Sequence, residues 1–194
     1  WDGEIPVYGD QGKSITLDVS GNIYVTGYFS KTGDFDPGSG TYNLTAIGGP
    51  DIFISKLDAS GNFVWAKQIG GTGQDEANSI AVDASGNIYA TGFFNGTADF
   101  DPGSGTYNLS AIGSFGDVFI SKLNPSGNFI WAIAMGGNGN DQGLSITTNS
   151  IGEVFTTGYF SGTGDFDPGA GTYTMSTSPS SQNAFISKLS ASGN

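Results

Sequence analysis

Three aspartate pairs are the residues best equipped for chemistry: Asp34 with Asp36, Asp99 with Asp101, and Asp165 with Asp167, each followed at once by Pro-Gly. Two carboxylates at i and i+2 could offer oxygens to a hard cation such as calcium, and the glycine-rich turn would add backbone carbonyls. The same residues serve equally as plain turn chemistry, because Asp-Pro-Gly favours a tight turn and an aspartate side chain can cap its own loop. These loops carry no third acid and no bidentate glutamate of the EF-hand kind. The six aspartates are therefore candidate calcium ligands, and calcium is the one cofactor the sequence suggests.

Other recurrent polar residues read as structural. Asp10, Asp75 and Asp141 precede an apolar stretch, and Asp58, Asn124 and Ser190 occupy a turn. A short polar side chain at such places accepts backbone N–H bonds within the turn. Asp75-Glu76 is an acidic pair, but the equivalent positions lack the glutamate, which argues against a shared acid–base role. Trp65, Trp131, Tyr24, Tyr89 and Phe155 could form a carbohydrate-stacking platform; their strand positions favour packing between units. Lys56, Lys122 and Lys188 are half of the six lysines. They are expected to snorkel at a strand end or to pair with an acid of the neighbouring unit. Gly70-Gly71-Thr72-Gly73 and Gly136-Gly137-Asn138-Gly139 lack the Lys-Ser/Thr of a phosphate loop and precede no helix.

Composition removes most other chemistry. The chain has no cysteine and no histidine, hence no disulfide, thiolate nucleophile, Ser–His pair or ordinary zinc site. Eighteen acids against six basic residues give a formal charge of −12. Nucleic acid is excluded as a partner because its phosphates need clustered cations, and an anionic membrane surface is disfavoured likewise. No apolar run approaches the roughly 18–20 residues of a membrane span.

The elements that must hold these residues are repeated. Gly21-Asn22-Ile23-Tyr24-Val25-Thr26-Gly27 returns from Gly86 and, as Gly152-Glu153-Val154-Phe155-Thr156-Thr157-Gly158, a third time. Phe53-Ile54-Ser55-Lys56-Leu57 returns at Phe119 and Phe185, every offset being 65 or 66 residues. Division at the tryptophans gives units 1–64, 65–130 and 131–194. Glycine supplies 33 of 194 residues, far above the usual share of roughly 7%, yet aromatics reach 13%. That combination means a folded, turn-rich, all-β chain. In the middle unit strands are expected at Ser79–Asp83, Ile88–Phe94, Asp117–Leu123 and Asn128–Ala134, with a small hairpin around the Asp-Phe-Asp-Pro-Gly element. Ile52-Phe53-Ile54 is apolar on both faces, so its sheet needs cover on both sides.

Ser79-Ile80-Ala81-Val82-Asp83-Ala84-Ser85-Gly86-Asn87-Ile88-Tyr89-Ala90-Thr91-Gly92 resembles the signature of the beta-propeller repeats called SBBP, and is similar to the NHL class of propeller repeats. The resemblance extends over all three units. It implies four-stranded antiparallel blades, a secreted or cell-surface bacterial protein, and no catalytic residues to carry over. Three units do not normally close a ring. The chain is accordingly expected to be a window on a longer array, or to close through its first strand, or to share a ring with further chains. The functional expectation is a non-catalytic structural or binding module, an adhesin or part of an extracellular assembly. Its partners would be flanking repeats, further copies of itself, or a cell-surface protein or glycan, with no membrane insertion. The alternatives are a propeller enzyme using aspartates or a metal, and an architectural spacer without a ligand.

Overall fold

The computed structural model describes residues 9–178 and 181–194. Seventeen strands and no helix occur among them. In unit 1 these are β1 (Gln11–Leu17), β2 (Ile23–Phe29), β3 (Thr32–Asp34), β4 (Asn43–Thr45), β5 (Asp51–Leu57) and β6 (Phe63–Gly71). Unit 2 repeats them as β7 (Asp75–Val82), β8 (Ile88–Phe94), β9 (Thr97–Asp99), β10 (Asn108–Ser110), β11 (Asp117–Leu123) and β12 (Phe129–Gly137). Unit 3 contributes β13 (Gln142–Thr148), β14 (Val154–Ser161), β15 (Thr163–Asp165), β16 (Thr174–Ser176) and β17 (Gln182–Leu189). The second and third strands of unit 2 lie where the sequence places them. The first starts four residues earlier than Ser79, and the fourth runs on to Gly137. A boundary drawn at Trp65 or Trp131 passes through β6 or β12.

Units 1 and 2 each build an antiparallel sheet in the order first, second, third and fourth long strand, and unit 3 contributes the first three of that order among the described residues. The short hairpin leaves its own unit and extends the sheet before it. β9 pairs with β6 through Gly70↔Asp99 and Gly71↔Ala98, and β15 pairs with β12 through Gly136↔Asp165 and Gly137↔Gly164. Two six-stranded sheets result, β1-β2-β5-β6-β9-β10 and β7-β8-β11-β12-β15-β16, beside a sheet of β13, β14 and β17. Sequence reasoning expected separate four-stranded blades. The structure adds a two-stranded strap from units 2 and 3 to their predecessors, while the equivalent hairpin of unit 1, β3 with β4, forms a sheet of its own.

The apolar core lies between the sheets. Ile52, Ile54 and Ile69 of unit 1 pack with Ala77, Ile80, Phe94, Phe100 and Phe119 of unit 2 in one buried cluster. Val118, Ile120 and Met135 of unit 2 pack with Ile146, Phe160, Phe166 and Phe185 of unit 3 in another. Strands apolar on both faces are thus covered on both sides by neighbouring blades. The innermost strands also meet edge-on, where Ser14 Oγ accepts from Ile80 N–H at 3.3 Å and Ser79 Oγ from Ile146 N–H at 3.2 Å.

A repeated bulge sets this meeting. The register of β7 on β8 slips between Ala77 and Ser79, and the same slip recurs in β1 and β13. The extra residue in unit 2, Asn78, turns out of the ladder, and its amide donates to Gly143 O of unit 3 at 2.9 Å. Bulges of this kind re-aim a side chain. The slip also drives a carbonyl toward the partner strand. A Cβ on Gly92 would run into Glu76 O, as would one on Gly27 into Gln11 O and one on Gly158 into Gln142 O. The glycine that closes each Tyr/Phe-x-Thr-Gly signature is there for space.

Candidate functional site

The paired aspartates sit at the tips of the straps. Asp99 Oδ1 accepts the backbone N–H of Asp101 at 3.0 Å and of Tyr107 at 2.8 Å, and Asp101 Oδ1 accepts that of Gly103 at 2.8 Å. Asp34 and Asp36 repeat the arrangement, as do Asp165 and Asp167. These bonds to Tyr42 and Asp36 hold the Asp34 carboxyl below the usual range. Between each pair stands a phenylalanine that enters the core of its own blade. Phe100 lies 5.3 Å from Phe94 and 5.1 Å from Phe119, ring centre to ring centre. The Asp-Phe-Asp element is therefore an aromatic anchor between two side-chain-capped turns. Among the described residues, no three Asp or Glu side chains gather closely enough to hold a metal ion.

The other recurrent polar residues fall into two groups. Asp58 Oδ1 accepts from Ser60 and Asn62 N–H, and Asn124 Oδ1 from Ser126 and Asn128 N–H, all within one turn. Ser190 makes the longer equivalents, 3.3 and 3.4 Å. Asp10, Asp75 and Asp141 reach beyond a local turn: Asp75 Oδ1 accepts from Asn95 N–H at 3.2 Å, twenty positions away, and Asp10 and Asp141 do so from Ser30 and Ser161. Lys122 Nζ lies 5.0 Å from the Tyr89 ring centre and donates to Ala191 O of unit 3 at 3.2 Å. Lys56 does the same with Tyr24 and Pro125 O. These two lysines thus run over a ring of their own unit to a carbonyl of the next, and do not pair with an acid there. Lys188 pairs with Glu153 of its own unit at 2.7 Å. Trp65 and Trp131 pack edge-on against Tyr24 and Tyr89, both 6.3 Å away. They also cover Gly127 and Gly193 in the next unit, as inter-unit packing requires.

Sequence reasoning missed Asp51 and Asp117, the first residues of β5 and β11. Asp51 is fully buried and Asp117 is 2% exposed. Asp51 Oδ2 accepts from Gln68 Nε2 at 2.6 Å and Ile47 N–H at 2.9 Å, while its Oδ1 has no donor. Asp117 Oδ2 accepts from Ile112 N–H at 2.9 Å, and its Oδ1 likewise has none. Each orphaned oxygen faces a second buried carboxyl from the next unit. The place where a Cβ on Gly70 would stand is 2.7 Å from Asp51 Oδ1 and 3.0 Å from Asp75 Oδ2. At Gly136 the distances are 2.9 Å to Asp117 Oδ1 and 2.5 Å to Asp141 Oδ2. Burial first, and then the neighbouring carboxyl, pushes Asp75 and Asp117 up to about 7. Burial pushes Asp51 up to about 6 and raises Asp141. The available signal was an acid opening two apolar strands, Asp51-Ile52-Phe53 and Asp117-Val118-Phe119, with Asn183 at the third position.

These strands, bulges and inter-blade contacts agree with what the sequence matches. The family model described as SBBP, a beta-propeller repeat, covers residues 4–28 and 64–93. Two segments of this chain match the SBBP beta-propeller repeat. It is 31% identical over 175 residues to an uncharacterized WD repeat-containing protein of Acanthamoeba polyphaga mimivirus, an alignment of 79% of this chain and 13% of the relative. To the Regulatory protein FlaEY of Caulobacter vibrioides it is 26% identical over 147 residues, 75% of this chain and 15% of that protein. The chain thus spans a small part of either relative. No helix among its described residues is long and apolar enough to cross a membrane.

Proposed function

We propose that this chain is a non-catalytic docking module whose first partner is another copy of the same repeat. One observation carries the reading. Ile54 and Ile120 are fully buried against the following unit, whereas Ile186, at the same position in unit 3, is 85% exposed. At the other end, Ile80 and Ile146 are 5% and 6% exposed and Ile15 is 68% exposed. The chain thus presents one face that already seats a blade twice, and opposite it the face that is seated twice. An apolar repeat face associates wherever no flanking repeat covers it. Sedimentation equilibrium is expected to show mass rising with concentration, and Ile186→Lys is expected to return the chain to a monomer. A wild-type chain that stays monomeric throughout would refute the reading.

We place this module outside the cell, in an adhesin or extracellular assembly, where a surface protein or glycan would meet the exposed edges. The acidic composition and the SBBP resemblance support that placement. Labelling of intact cells with an antibody to the chain tests it, and labelling only after lysis would exclude it.

The strap aspartates act in this reading as turn formers. Asp99→Ala removes the acceptor of two backbone N–H groups and is expected to cost about 1–2 kcal/mol, with melting unaffected by calcium or chelator. A calcium-dependent rise in melting temperature, lost in a variant carrying Asp99→Asn and Asp101→Asn, would assign the pairs to a cation instead.

A further inference from the structure

The carboxyl pairs at the two junctions are arranged alike. An oxygen without a donor, Asp51 Oδ1 or Asp117 Oδ1, and an oxygen of the second carboxyl both lie within 3.0 Å of the place a Cβ on Gly70 or Gly136 would take. At the first junction β6 brings the neutral Gln68, whose amide serves the other Asp51 oxygen. The backbone N–H groups of Gly71 and Asn95 serve Asp75. The cleft of about 310 Å³ in front of Gly70 is lined by Lys67, Asp99 and Asp101. At the second junction the corresponding cleft, about 220 Å³, is lined by Asp117 itself together with Asp165 and Asp167. There Ile133 stands where the first has Lys67, and Ala134 where it has Gln68. Gly137 and Ser161 N–H serve Asp141. A cation is therefore no shared part of the arrangement, and two ionised carboxylates facing one another in a buried site repel strongly. A protonated carboxyl supplies the missing donor, because its O–H can be given to the neighbour's oxygen.

We propose that each pair keeps a proton on one of its two carboxyls, making each blade junction a pH-dependent clasp that tightens in mildly acidic surroundings and loosens when both groups ionise. The third unit carries the neutral counterpart. Asn183 occupies the position of Asp51 and Asp117, and an amide offers hydrogen-bond donors at every pH.

The sign follows from proton linkage. Carboxyls raised from 3.8 to about 6 and 7 bind more protons in the folded chain than in the unfolded one. The stability they contribute is complete below about pH 4 and is lost as pH rises through about 6 to 7. Exposed Asp34, lowered by its hydrogen bonds, acts in the opposite sense and only in stronger acid. Repulsion from the net charge also grows with pH, so the contribution of the pairs is isolated by substitution.

The test compares melting of the wild-type chain with that of a variant carrying Asp51→Asn and Asp117→Asn, from about pH 5 to pH 8 in the presence of chelator. Wild-type melting should fall across this range, and the variant should lose most of that fall and match or exceed the wild type at pH 8. Carbon NMR of the wild-type aspartate carboxyls gives a readout that needs no variant, with resonances titrating near neutral pH. A pH dependence unchanged by the substitutions, or aspartates that all titrate in the ordinary range, would overturn the proposal. So would calcium stabilisation of the wild type that the variant lacks, because the pairs would then hold a cation.

Discussion

Replacing Phe100 with alanine is expected to remove about 3–5 kcal/mol of stability, the usual cost of deleting a buried phenylalanine. The ring is fully buried, contacts Phe94 and Phe119, and belongs to the cluster between units 1 and 2. It is also the point at which the strap is fixed to its own blade, while β9 hydrogen-bonds to β6 of the preceding one. Its loss therefore weakens one blade and the link between two. Phe35→Ala is the internal comparison. Phe35 makes the same ring contacts, 5.0 Å to Phe29 and to Phe53, but is only half-buried. The expected loss is correspondingly smaller. Urea unfolding of the two variants measures the difference, and equal losses would show that the strap anchor carries no inter-blade burden.

Gly92→Ala is expected to reach or exceed the upper end of the roughly 1–3 kcal/mol typical of overpacking. The added methyl meets a backbone carbonyl, Glu76 O, and the Cα of Ala77 lies 2.9 Å from it. Backbone held in a ladder cannot swing aside like the end of a flexible side chain. Accommodation would undo the bulge that points Asn78 at unit 3. Gly12→Ala is the control: its methyl would meet only Val25 Cγ1, at 3.7 Å, an ordinary contact. Thermal melting should separate the two substitutions clearly, and a near-neutral Gly92→Ala would show that the bulge is dispensable.

The long strands were legible because their signals are local. Ile88–Phe94 and Asp117–Leu123 are apolar, β-branched or aromatic, and bounded by Asp, Ser, Asn and Gly, and both lie where the sequence sets them. The hairpin in the Asp-Phe-Asp-Pro-Gly element was legible for the same reason. Its destination was not. Gly71 and Ala98 pair across 27 positions, and nothing in either segment names the other. The bulge at Asn78 was hidden too, since one extra residue leaves the alternation of Ser79–Val82 intact.

Site residues follow the same division. The turn roles of Asp58 and Asn124 could be read from the turn sequence alone, because donor and acceptor lie within four positions of each other. Asp75 was visible as a recurrent acid, yet its partner Asp51 belongs to another blade. Asp51 itself looks like the flank of an apolar strand. Only the stacking of one blade on the next buries the two together, and burial is what changes their chemistry.

Head-to-tail stacking of equivalent faces can be tested most directly by disulfide capture. The natural chain has no cysteine, so each introduced thiol reports alone. Ile54 and Ile80 share the first buried cluster and Ile120 and Ile146 the second, which places Ile186 of one copy against Ile15 of the next. An Ile15→Cys chain mixed with an Ile186→Cys chain should therefore form disulfide-linked pairs under mild oxidation, while either variant alone should form few. Equal crosslinking within a single variant, or none in the mixture at concentrations where the chain associates, would contradict the account.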